Sequence, residues 1–285
     1  MSTSPLGNHH VTFLGQNSHG SDESWRMRRT HINELVSDIS MAVVIECPTI
    51  DLILYALKRY SFDETTMAKF LASSTYWWMR SAEFRKLLMN LPPNADIFGI
   101  DVPYSISQHT NCISVLNALK SPVGRLSSDL LIYDMITKDV LSSVTAEQRE
   151  IVMTDKLSII LEANYQQVVV ICHNFHATRY SWLPYRSLCQ RIIDQDSHNI
   201  SVKSCGIFSQ DMAFIATPDG KNLETFRIND ACVRCGELYQ VKMVSSYYRS
   251  EQQDALSMSV RVPLHYDEVI VYPSGHPITV EGNHG

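Results

Sequence analysis

The chain has 285 residues and a net charge of -6 at pH 7, with no apolar run near the ~18 residues that span a bilayer. Its mild acidity, with a pI near 6.0, excludes the basic face that a nucleic-acid partner requires. The first eight residues lack a basic or apolar leader pattern, and the seven cysteines are odd in number, irregularly spaced and partly set in apolar runs. A reduced, cytoplasmic protein folded as a single α/β domain over 1–285 is expected.

The first apolar run, Val11 to Gly15, ends in the polar cluster Gln16-Asn17-Ser18-His19-Gly20. Ser21-Asp22-Glu23-Ser24 then reads as a helix start, followed at helical spacing by Trp25, Ile32, Leu35, Val36 and Ile39. A second run, Met41 to Ile45, ends at Glu46, and Pro48 opens a helix carrying Ile50, Ile53, Leu54 and Leu57. Helical spacing resumes from about Thr65 to Leu91, until Pro92-Pro93-Asn94 stops it. The third run, Ile97 to Ile100, ends at Asp101. Gln108 to Ala163 reads as mostly helical, with a break at Ser121-Pro122-Val123-Gly124 and a cap within Ser143 to Glu147. A fourth run, Val168 to Cys172, ends in His173-Asn174-Phe175-His176. Further strands are predicted at Ile200–Phe208, Met212–Thr217, Leu238–Val244 and Val269–Tyr272.

Near-continuous Val/Ile/Leu runs suit strands buried on both faces of a mainly parallel sheet, and their alternation with helices predicts a three-layer α/β/α fold. Ligands of such sheets bind at the carboxyl ends of the strands. Gln16, His19, Glu46, Asp101, His173 and His176 should therefore converge on one crevice. His19 suits a general base near neutral pH. Glu46 can orient an imidazole or cap the next helix, and Asp101 can hold Arg28 or a ligand hydroxyl, or simply make a turn. His173 and His176, three apart, share one side if helix begins at Asn174, and suit an acid to the leaving alcohol and a donor to an oxyanion. With Glu46 they also make a conceivable metal set, but no denser ligand motif supports one. No G-x-S-x-G elbow occurs. Cys47 and Cys172 flank the site as possible thiol nucleophiles, though buried core thiols are the simpler reading, and Cys232-Val233-Arg234-Cys235 reads as a loop with incidental thiols. Of the aromatic residues Tyr76, Trp77, Trp78, Tyr104, Trp182 and Tyr185, Trp78 and Tyr104 are the pocket candidates. Arg80 and Arg85 suit interhelix or surface ion pairs.

The segment Gly15-Gln16-Asn17-Ser18-His19-Gly20-Ser21-Asp22-Glu23 resembles the G-E-x-x-H-G-x-x-E opening of the erythromycin esterase family. Val43-Val44-Ile45-Glu46, the tryptophan-rich Trp77-Trp78-Met79-Arg80 before Gly99-Ile100-Asp101, and His173-Asn174-Phe175-His176 follow in that family's order. The similarity runs from about residue 11 to about 272. It implies a three-layer α/β/α fold, with the helical part around 108–163 reduced. It also implies hydrolysis of macrolactone-type esters without metal or cofactor, and His19 as base among Glu46, His173 and His176. Arg28, nine residues beyond His19, is similar to a family arginine, and Glu23 is a further acidic candidate. Gln16 departs from the pattern, standing where the family has Glu, and an amide cannot take up a proton at neutral pH.

Three functions remain open. The first is an esterase-like enzyme acting on an acyl group of a small, bulky, largely apolar secondary metabolite. The second is a non-hydrolytic tailoring enzyme (cyclase, acyl transferase or dehydrating enzyme) on the same scaffold. The third is a catalytically silent protein binding a small molecule or haem. Ester turnover separates the first from the others, a product isomeric with its substrate identifies a cyclase, and a Soret band on haem titration marks the third.

Overall fold

The four apolar runs lie side by side in one sheet, with the third at its edge, and their positions are nearly all apolar because helices cover both faces. The computed structural model describes residues 10–34, 39–58, 63–72, 74, 76–102, 131, 134–138, 145–163, 165–195, 200–216, 222–243 and 256–280. The runs are β1 (Val11–Leu14), β2 (Met41–Pro48), β3 (Ala95–Asp101) and β4 (Gln167–Ile171). With β5 (Val202–Ala216), β6 (Glu224–Ile228) and β10 (Glu268–Ser274) they make a seven-stranded sheet of order β10-β5-β1-β4-β2-β3, with β6 paired to β5. Every pairing is parallel except β5 with β6. A separate antiparallel sheet holds β7 (Cys232–Cys235), β8 (Leu238–Met243) and β9 (Leu256–Arg261).

Alternation along the strands divides the core into two layers. Leu14, Val43, Ile45, Ile97, Val169 and Ile171 face α1 (Asp22–Glu34), α3 (Glu64–Ala72) and α4 (Ala82–Met89), where Trp25, Met67, Phe84 and Leu87 pack. Phe13, Ala42, Val44, Phe98, Val168 and Val170 face α5 (Ala146–Glu162) and α7 (Leu188–Asp194) through Met153, Leu157, Leu188 and Ile192. The result is the three-layer α/β/α arrangement expected, with a mainly parallel central sheet. α2 (Thr49–Lys58) follows β2, and the one-turn α6 (Asn174–Ala177) follows β4.

Several elements differ from expectation. The helix expected over 65–91 is divided into α3, a 3-10 turn at Trp77–Arg80, and α4. Ser81 starts the new helix by accepting the backbone N–H of Phe84 at 3.1 Å, while Tyr76 is drawn aside to donate its hydroxyl to Asp101 at 2.9 Å. Pro48 closes β2 instead of opening the helix, which begins at Thr49. The two strands expected over 200–217 are one long β5. Its exposed Gln210-Asp211 marks where pairing passes from β1 and β10 to β6. Cys232 to Cys235 is strand β7, not a loop. Residues three apart on a strand point to opposite faces, and Cys232 is buried while Cys235 is exposed, so the two thiols do not meet. The cap within 143–147 is Thr145, which forms a reciprocal capping box with Gln148. Most of the predicted helical stretch before it, 108–130 with 139–144, lies outside the described residues, as does Tyr104.

Segment 275–280 runs back across the starts of two helices. The Asp22 N–H donates to the His276 carbonyl and the Ala82 N–H to the Thr279 carbonyl, each at 2.9 Å, satisfying helix-end donors that α1 and α4 cannot satisfy themselves. Ile278 donates to the Gly20 carbonyl at 3.0 Å, tying the strap to the loop after β1. On the other side, Gly15 lies against Asn174, whose amide bridges to Ile207 of β5 in both directions and whose backbone N–H donates to the Gln16 carbonyl at 2.7 Å.

A Cβ at Gly15 would overlap Asn174 Oδ1 and come within 3.1 Å of the Ala177 methyl. Gly15→Ala is expected to cost about 1–3 kcal/mol, the range for forcing extra volume into a packed site. Urea unfolding should show a lower midpoint with an unchanged slope.

Candidate active site

Because β1 to β4 are parallel, their carboxyl ends lie along one edge of the sheet, and the residues after them meet there. The centre of the meeting is the Glu46 carboxylate, only 6% exposed. Its Oε1 accepts from Arg149 Nη2 at 2.7 Å and lies 3.0 Å from His176 Nε2. Its Oε2 accepts the His173 backbone N–H at 2.6 Å and lies 3.7 Å from His19 Nε2. Burial opposes the charge, but His176 and Arg149 outweigh it and hold the carboxyl well below the usual carboxylate range.

His176 and His19 lie on either side of this carboxylate in opposite states. The His176 ring stands between Glu46 and Glu150, with Nδ1 2.6 Å from Glu150 Oε1. Burial works against protonation there, yet the two carboxylates overcome it and raise the pKa from 6.5 to about 10. For His19 burial dominates, and its pKa falls to about 3 despite the pull of Glu46. At neutral pH His176 is therefore an imidazolium and His19 a neutral imidazole. The His19 ring stacks on Trp78 at 4.7 Å and 14°, and Trp25 stacks on Trp78 at 5.4 Å and lies 6.3 Å from His19. Trp78, expected to line a pocket, covers one face of His19. His173 caps α6: its ring Nε2 donates to the Asn17 carbonyl at 2.9 Å, and Nδ1 faces the Phe175 N–H at 3.5 Å.

Asp101 holds an arginine, but Arg149 and not Arg28. Arg149 Nε donates to Oδ1 and Nη2 to Oδ2, each at 2.7 Å, so one guanidinium ties the ends of β2 and β3 to α5. Arg28 is fully buried beneath the site, over the Trp25 ring at 5.1 Å. It donates to Gln16 Oε1 at 2.5 Å and to the Leu14 and Cys172 carbonyls at 2.8 Å each. Gln16 thus joins Arg28 to His19, whose Nδ1 its Nε2 contacts. Arg149, Glu150 and Asn174 were not singled out from the sequence as site residues. Asn174 lies inside the H-N-x-H motif, and Arg149 follows the Thr145 cap by one helical turn, the two signals that point to them.

Glu23 stands apart from this cluster. It accepts from the Ser21 hydroxyl at 2.8 Å and from the His276 backbone at 2.9 Å, and its Oε1 lies 2.6 Å from His276 Nδ1. Asp22 completes a group that has metal-ligand spacing with Glu23 and His276, and burial together with Glu23 raises its pKa to about 6. Burial drives the Cys47 and Cys172 thiols well above their usual pKa, so both stay protonated and are poor nucleophiles. Arg85 pairs with Glu64 between α4 and α3 at 3.7 Å, as an interhelix role predicts.

The opposed histidines give stability a defined pH dependence. A raised folded pKa contributes fully below the unfolded value of 6.5 and is lost as pH rises, here through about 10 for His176. The depressed values of His19 and Glu46 contribute above 6.5 and 4.5 and are lost as pH falls. Unfolding free energies measured across pH should therefore decline on both sides of neutrality. Glu150→Gln, by removing the largest charge that raises His176, should shrink the alkaline decline.

No family model matches the chain, and no curated protein sequence does. Solved structures resemble it in fold. A succinoglycan biosynthesis protein superimposes with a TM-score of 0.65 at 12% identity, over 97% of this chain and 90% of the other. A Bacillus cereus protein gives 0.66 at 12%, over 96% and 91%. A variant of an erythromycin esterase in its open conformation gives 0.59 at 11%, over 99% and 94%. At these identities the likeness is one of fold, and it joins the chain to the architecture that an erythromycin esterase also uses.

Proposed function

We propose that the chain is an enzyme acting on an acyl or ester group of a small secondary metabolite of macrolide or polyketide type, bound at the crevice around Glu46. One observation carries this reading: a neutral, stacked imidazole, His19, faces a carboxylate that is itself fixed by donors from two other segments. Acyl chemistry needs a group that exchanges hydrogen bonds with a reacting oxygen while neighbouring charges stay in place. His19 fits that role, since Trp78 sets its plane and burial keeps it uncharged. His176 does not exchange its proton near neutrality and instead holds Glu46 in position. Arg149, whose side chain is 22% exposed against 6% for Glu46, is the cation best placed to meet a ligand oxygen. The shared fold of an erythromycin esterase supports the substrate class.

The reading is metal-free. Of the set Glu46, His173 and His176, both His176 nitrogens face carboxylates, His173 donates to the Asn17 carbonyl, and Glu46 is committed to Arg149 and the His173 backbone. A cation there would have to displace two protonated partners and a cap. A non-hydrolytic tailoring reaction on the same acyl group is the second reading, favoured by the amide at Gln16.

His19→Ala should lower turnover of an ester substrate by about 10²–10⁴-fold, the usual contribution of a proton-transfer or hydrogen-bonding side chain at a reacting group. Circular dichroism should be unchanged. Activity within a few-fold of the parent removes His19 from the chemistry. Prolonged chelation should leave the rate unaltered, whereas loss restored by zinc or manganese would make Glu46, His173 and His176 ligands.

A further inference from the structure

Arg28 has hydrogen-bond donors and no acceptor. The Gln16 atom that faces it at 2.5 Å must therefore be the carbonyl oxygen, since an amide turned the other way would set N–H groups against a buried cation. The other end of the amide is then its NH2, and that end meets His19 Nδ1. An NH2 group offers protons and no lone pair, so Nδ1 has to accept. A neutral imidazole carries one proton, and with Nδ1 accepting, the proton sits on Nε2, the atom that looks toward Glu46 Oε2. Every other group packed on the ring is consistent with this assignment. Trp78 and Trp25 contribute faces, and His173 lies 6.2 Å away, ring to ring.

We infer that Gln16, oriented by Arg28, is a positioning residue that fixes His19 as the Nε2–H tautomer, so that the crevice offers an acyl carbonyl a hydrogen-bond donor in place of a general base. The inference rests on the acyl reading above and sharpens it. Water activation requires a lone pair on the nitrogen that faces the ligand, and carbonyl polarisation requires a proton there. One tautomer supplies one of these. A glutamate at position 16 would reverse the arrangement, accepting from Nδ1–H and leaving Nε2 free to take a proton. The same logic makes the aspartate of a serine-protease triad sensitive to exchange for asparagine, which leaves the geometry intact and lowers the rate by about 10⁴ through the wrong tautomer.

The test is a multiple-bond nitrogen–proton correlation spectrum of protein labelled with nitrogen-15 histidine, with His19 assigned by difference against His19→Asn. The parent is expected to show His19 protonated at Nε2 and bare at Nδ1 throughout the neutral range. Gln16→Glu should move the proton to Nδ1 and raise hydrolysis of p-nitrophenyl butyrate by about 10²-fold or more. The gain should follow a single ionisation in its pH profile. A parent His19 protonated at Nδ1 overturns the inference, whatever the variants do. The expected tautomers in both proteins with no gain in ester cleavage would leave the positioning role of Gln16 standing and overturn the acyl reading of the crevice.

Discussion

The structure of the site depends on the need to satisfy one buried carboxylate. A charge taken from water is tolerated only when hydrogen-bonded partners replace the water, and removing one partner of such a pair costs several kcal/mol. Glu46 meets this requirement with donors from separate parts of the chain, Arg149 of α5, the His173 backbone after β4 and the ring of His176, while His19 faces it at 3.7 Å. The side chains around it are in turn held from behind, Arg149 by Asp101, His176 by Glu150 and His19 by Gln16 and Trp78. The ends of the four strands and helix α5 are thereby linked to one another through that anion and its partners.

Two histidines beside the same carboxylate differ in opposite directions because the carboxylate is not their only neighbour. His176 has a second anion, Glu150, whereas burial dominates at His19, with the Arg28 guanidinium adding to it. Environment thus splits one residue type into a cation and a neutral ring at neutral pH within a single cluster. Pushing pKa values apart in this way is how a fold assigns different tasks to like groups. The cation lies against Glu46 at 3.0 Å, and the neutral ring is stacked on Trp78.

Much of this was legible in the sequence because fully buried parallel strands advertise themselves as unbroken apolar runs and their polar ends as interruptions. Gln16, His19, Glu46, Asp101, His173 and His176 were located by that rule, and the structure brings them to one edge of the sheet. Arg149 and Glu150 escaped it because they sit inside a helix, among Glu147 and Gln148, where charged residues normally face water. What buries them is the placement of α5 across the ends of β2 and β3, which no local pattern encodes. The division of the helix expected over 65–91 was hidden for a related reason. Its apolar spacing continues through Trp77 and Trp78, but tertiary partners, Asp101 for Tyr76 and His19 for Trp78, pull the chain out of helical phase. Of the small second sheet, β8 was expected at Leu238–Val244, whereas β7 reads as a loop because the exposed positions of Val233, Arg234 and Cys235 leave little apolar alternation.

The strand order has a consequence for how the molecule comes into being. β1 and β2, which carry His19 and Glu46, are consecutive in the chain but are not neighbours in the sheet, since β4 fills the slot between them. Until that strand has been synthesised and inserted, the two are separated by a gap with unpaired backbone on both sides. Such non-local pairing slows folding and leaves exposed strand edges on the growing chain. The step that closes the gap also delivers His173 and His176 beside Glu46, before β5 and β10 extend the sheet past β1. The chain therefore carries the aggregation hazard of those two open edges until β4 has paired with both of them.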